Sequence, residues 1–85
     1  MRLFLHLVEC GEITRDEEGR DFTDMAAARE AAIKAARDVM CHEIKAGALC
    51  LSCHVEIAKR NGSALEIVRF VDAIALSGLP GQRGD

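Results

Sequence analysis

The sequence predicts an α+β fold: a two-layer sandwich in which an antiparallel sheet of three or four strands, made as two hairpins, carries one long helix on one face. Three observations predict it. The stretch Asp24–Gly47, DMAAAREAAIKAARDVMCHEIKAG, is the only long segment with a helical period. The segments on either side of it alternate, or are apolar on both faces, as strands are. The dipeptides Cys10-Gly11 and Asn61-Gly62 fall inside those segments, where hairpins close.

From Arg2 to Glu9 the chain places Leu3, Leu5 and Leu7 on one face and Phe4, His6 and Val8 on the other, the pattern of a covered strand. Glu12 to Arg15 is the return strand. A second turn follows at Asp16-Glu17-Glu18-Gly19, and an acidic link runs on to Asp24. In the helix, Met25, Ala28, Ala32, Ile33, Ala36, Val39, Met40 and Ile44 form one stripe, interrupted by Arg29 and Glu43. Thr23 or Asp24 caps its start, and Gly47 stands where a C′ glycine belongs. Glu30 and Lys34 make an i,i+4 pair on the polar side. Alanine is the commonest residue of the stripe, at three of its eight positions, which lets a helix lie close to a flat apolar sheet. Ala48 to Lys59 alternates as one strand, and Ala64 to Phe70 returns from the Asn61-Gly62 turn. Val71 to Leu76 closes the domain as a short helix or strand extension. One domain is expected over residues 1–76 and a disordered tail over 77–85.

Composition narrows the functional classes. The chain has 85 residues, a net charge of −3, three Phe and no Trp or Tyr. Without a basic run or aromatic platform, a nucleic-acid partner is not expected. Between Glu9 and Asp24 the acids Glu9, Glu12, Asp16, Glu17, Glu18, Asp21 and Asp24 face only Arg15 and Arg20. No segment reaches the roughly 18 apolar residues that span a bilayer. The N-terminus reads as a strand rather than a signal peptide. The expected compartment is the cytoplasm, with the four cysteines as thiols.

Several motifs suggest chemistry. Cys50-Leu51-Ser52-Cys53-His54 spells C-x-x-C-H, the haem-attachment signature. In a strand, however, Cys50 and Cys53 point to opposite faces, whereas haem needs both thiols turned toward one porphyrin. Cys41, His42, Cys50, Cys53 and His54 are candidate zinc ligands by donor type. The helical wheel turns Cys41 to solvent, and Cys53 on an apolar strand face behaves as a small hydrophobe. A C-x-x-C redox site favours a first cysteine at a helix N-terminus, and Cys50 follows a helix C-terminus. No cofactor or metal is therefore assigned. His6 reads as a hydrogen-bonded, partly buried histidine. The acidic link reads as a solvated loop, since its spacing does not fit a calcium loop. Arg83-Gly84-Asp85 reads as chance. No nucleophile–base set, P-loop or dinucleotide motif is present, so no enzymatic activity is expected.

The pattern Phe4, His6 and Leu7, then Gly11, then Asp16, Glu18 and Gly19, then Asp24, Met25, Ala28 and Arg29, then Phe70, Asp72 and Ala73 resembles a family of small uncharacterised bacterial proteins, domain-of-unknown-function family 6894. The likeness covers roughly residues 2–74. Cys10 stands where an acidic turn residue is usual and Arg69 where a proline often precedes the Phe; the cysteines are not part of the pattern. The resemblance implies a fold and an origin but no activity. A looser, fold-level likeness to HicB-type antitoxins implies a small toxin partner.

The leading expectation is a non-catalytic interaction or regulatory module acting through self-association or a protein partner. Phe4, Val8 and Val68 are its candidate contact residues, as apolar surface in need of cover. The alternative is a zinc- or redox-responsive protein using the Cys/His cluster.

Overall fold

The computed structural model describes residues 1–78. The expected tail from Ser77 lies, from residue 79 onward, outside the described residues, as does the Arg-Gly-Asp tripeptide. The elements are β1 (Arg2–Glu9), β2 (Glu12–Thr14), β3 (Arg20–Asp21), α1 (Met25–Lys45), β4 (His54–Ala58) and β5 (Ala64–Arg69), closed by a 3₁₀ turn over Phe70–Asp72. The sheet runs β2-β1-β4-β5, with β3 also paired to β1; every pairing is antiparallel. This is the α+β sandwich, with five strands rather than three or four. Among the described residues no helix is long and apolar enough to cross a membrane.

Asp24 is the helix N-cap, its carboxylate accepting from the Ala27 N–H at 2.9 Å. The C-terminus is a Schellman turn. Ala48 N–H reaches Glu43 C=O at 3.0 Å, Gly47 N–H reaches Ile44 C=O at 2.9 Å, and Gly47 takes φ +92°. Ala28, Ala32, Ala36 and Met40 are buried against Leu3, Val55, Ile57, Val68 and Phe70. Arg29 reaches down from the stripe to make a two-pronged bond with Glu66 on β5. Arg37 donates to the Ala73 carbonyl at 2.7 Å. Lys34 pairs with Asp38 rather than with Glu30.

Three expectations need correction. Ile44 is 60% exposed, although the stripe includes it. The helix, about 31 Å long, overshoots strands of about 17–20 Å, so its last turn leaves the sheet. Residues 48–53 are not strand; β4 begins only at His54. The reason is the end of β1: its last pairing with β4 is Val8 with His54, and at Cys10 the chain turns away. Phe4 and Val68, expected as open apolar surface, are covered within the chain. Val68 lies beneath the helix, and Phe4 lies under the 15–19 link. Val8, on the outer face, stays half-buried.

The 15–19 link is itself a built feature. β2 leaves β1 at Leu7 and β3 rejoins it at Leu3, so on the edge of β1 opposite β4 the backbone between them lacks a strand partner. Asp16 supplies one, accepting from the Leu5 N–H at 3.1 Å. Its other oxygen accepts from Gly19 N–H at 3.0 Å and Glu18 N–H at 3.3 Å, and its own N–H donates to Nδ1 of His6 at 3.0 Å. His6 is buried and hydrogen-bonded, as expected. Gly19, at φ +71°, lies so close to Phe4 that a Cβ there would sit 2.8 Å from its ring.

Candidate thiol site

The fold gathers cysteines at the far end of β1, away from that brace. Cys10 and Gly11 form the two-residue turn between β1 and β2, and both take positive φ, +32° and +84°. A type I′ hairpin asks for this and favours Asn, Asp or Gly there. A cysteine at the first position is a departure, and it aims the thiol across the end of β1 toward the segment entering β4. That segment carries Cys50 and Cys53. Cys53 is tied to the sheet through its carbonyl, which accepts from the Phe70 N–H at 2.9 Å.

The Cys53 thiol donates to Sγ of Cys50 at 2.9 Å, and Sγ of Cys10 lies 3.5 Å from Sγ of Cys50. All three sulfurs fall within 4.8 Å of one another. The Ser52 hydroxyl stands 3.2 Å from Sγ of Cys50. Burial is graded: Cys53 is buried, Cys50 half-buried and Cys10 exposed. All four cysteines of the chain are free thiols.

These contacts divide the protons unevenly. Hydrogen bonds from Cys53, Ser52 and Cys10 bring the Cys50 thiol down to about 7. Burial, and then the neighbouring Cys50, push Cys53 up to about 12. Cys10 is raised, chiefly by its bond to Cys50. The result is one thiolate-prone sulfur held between two protonated thiols. Beside it, Glu9 is raised by burial and by the Glu43 carboxylate, one oxygen of which is buried without a partner.

The expectation that alternation separates Cys50 and Cys53 is thus overturned. They lie in a turn-rich link, where no pleat applies, and their sulfurs meet. Cys41 and His42 are exposed on the helix, and His54 points to the outer sheet face, so the fold does not gather the five residues singled out from sequence. Cys10 was missed. Its one sequence signal is a cysteine where a tight turn ordinarily carries Asn, Asp or Gly. Cys53 is 2% exposed, so its thiol would have to leave the core to bear a haem thioether.

The family model for the Domain of unknown function (DUF6894) matches residues 2–71, and the chain belongs to that family. No curated protein and no solved structure matches it, and the looser HicB-type likeness is not confirmed. Most residues that carry the family pattern in β1 and the link, Phe4, His6, Asp16 and Gly19, are those of the brace.

Proposed function

We propose that the protein is a small non-catalytic regulatory module whose responsive element is the Cys50–Cys53 thiol pair. The 2.9 Å contact between the two sulfurs carries the reading. Hydrogen peroxide takes the Cys50 thiolate to a sulfenic acid, releasing hydroxide. The Cys53 sulfur then displaces that oxygen, forming the Cys50–Cys53 disulfide and releasing water. Two thiols lose two electrons and two protons, and the peroxide is reduced to two waters. In the reducing cytoplasm the pair waits as thiols.

The output of such a module is contact with a protein partner or a second copy. Support for this lies next to the pair: Ile44 and Leu49, 60% and 39% exposed, flank the same helix-to-β4 link. A bond between residues 50 and 53 tightens that link and alters how the two side chains are presented.

The test is limited oxidation of the reduced protein by hydrogen peroxide, followed by alkylation and peptide mapping. A loss of two hydrogens confined to the peptide with Cys50 and Cys53, with altered amide exchange over residues 46–53, is expected. Oxidation that goes first to Cys41, or a Cys50–Cys53 pair that stays fully alkylatable, overturns the reading.

A further inference from the structure

We propose that the reduced cluster is also a metal site, in which Cys10, Cys50 and Cys53 bind one soft d¹⁰ cation, zinc(II) or copper(I), as three thiolates with one coordination position left open. The inference shares two residues with the redox reading and stands or falls separately, because a Cys50–Cys53 disulfide has no use for Cys10.

Convergence is the first ground. Cys10 and Cys50 are 40 residues apart, yet their sulfurs meet at 3.5 Å, with Cys53 2.9 Å beyond. A tetrahedral zinc ion about 2.3 Å from each sulfur sets those sulfurs about 3.8 Å apart. The three need to open by under about 1 Å to take one. That is a side-chain rotation for Cys10, which is exposed, and for Cys50, which is half-buried at the edge of the core.

The second ground is the backbone at Cys10. A β-carbon at φ +32° is strained, and asparagine or glycine fits the turn better. Strain of this kind concentrates at functional positions, where the side chain and not the turn is what matters. Here the side chain delivers the third sulfur.

Donor type sets the ion. Three thiolates favour zinc(II) and copper(I) over calcium or magnesium, which take oxygen. Each thiol gives its proton to solvent as its metal–sulfur bond forms, so binding is accompanied by proton release. The Ser52 hydroxyl, 3.2 Å from Sγ of Cys50, supplies a hydrogen bond to a bound thiolate. Glu9 and Glu12, paired across the Cys10 turn, add negative charge that favours a cation. Because Cys10 is exposed, the open position faces outward, where water or a donor from another molecule completes the set.

The experiment titrates fully reduced, metal-free protein with cobalt(II) under anaerobic conditions. Zinc(II) then displaces the cobalt, and a parallel arm uses copper(I) against a chromogenic chelator. One ion per chain is expected, with thiolate-to-cobalt charge-transfer absorption. Tight zinc or tight copper(I) binding supports the site and names its ion. Cys53 lies in the core, so its replacement perturbs folding, and the decision rests on Cys10→Asn, which suits the turn. Outer-shell changes at metal sites cost 10- to 100-fold in affinity, so loss of this ligand is expected to cost at least about 100-fold. Cys41→Ser is expected to bind as the parent does. Wild-type affinity in Cys10→Asn, loss of affinity in Cys41→Ser, or the absence of both thiolate-to-cobalt charge transfer and tight copper(I) binding overturns the proposal. No oxidant is present, so such a failure leaves the disulfide experiment untouched.

Discussion

Asp16 shows how one side chain stands in for a missing strand. Its two oxygens accept from Leu5, Gly19 and Glu18, filling the gap between β2 and β3 on the edge of β1. Burial alone raises its carboxyl, but the bonds from the Gly19, Leu5 and Glu18 backbone outweigh it, and the net direction is down. Asp16→Asn puts an NH₂ where a backbone N–H needs an acceptor, so two donors face each other. A loss of about 1–3 kcal/mol is expected, the penalty for an unsatisfied, partly buried donor. The pH dependence has a fixed sign. A carboxyl lowered in the folded state stabilises it above the unfolded value, and that share is lost as pH falls through the folded value. Urea midpoints measured from neutral to acid pH are therefore expected to show the gap between wild type and Asp16→Asn narrowing toward acid. A gap that stays constant with pH would show that the charge of Asp16 has no part in it.

At the scale of the element, α1 and the link after it separate what was legible from what was not. The alanine stripe was readable because its period needs no knowledge of the partner. Ala28, Ala32 and Ala36 are fully buried, so the helix backbone lies close to β4 and β5. Ala32→Leu forces extra carbons into that contact and is expected to destabilise by roughly 1–3 kcal/mol, whereas Ala26→Leu, on the exposed side, is expected to be near neutral. Thermal or urea unfolding of the two variants checks this, and equal effects would mean that the stripe is not a packing surface. The same pattern reading failed at Leu49, Leu51 and Cys53, which continue the alternation of Val55 and Ile57. Alternation records which side chains seek burial; it does not record whether a neighbouring strand is still there. β1 ends beside His54, so the residues before it fold as a link and still bury Cys53. β3 was missed because two residues are too few to show a period, and Cys10 because its partner lies 40 residues away.

Across the whole molecule, the brace at Phe4, His6 and Asp16 holds the first half and middle of β1, and the thiols at Cys10, Cys50 and Cys53 gather beyond its last residue. The cluster's link to global stability runs through chain topology. Cys50 and Cys53 stay near each other in the unfolded chain and can hold a metal there, which contributes nothing to folding. Cys10 joins them only when β1 has paired with β4. The stabilisation from a saturating ion is therefore the part of the affinity that Cys10 adds. If that part is 100-fold, it amounts to about 2.7 kcal/mol, or a rise of about 11–22 °C in Tm for a domain of this size. Cys10→Asn relieves the left-handed cysteine and is expected to melt at or slightly above the metal-free parent, yet to gain little from the ion. Differential scanning fluorimetry of both proteins, reduced, with and without zinc(II), separates the cases. An equal rise in both would mean that Cys50 and Cys53 bind without the fold's help, and that the close approach of Cys10 serves the turn alone.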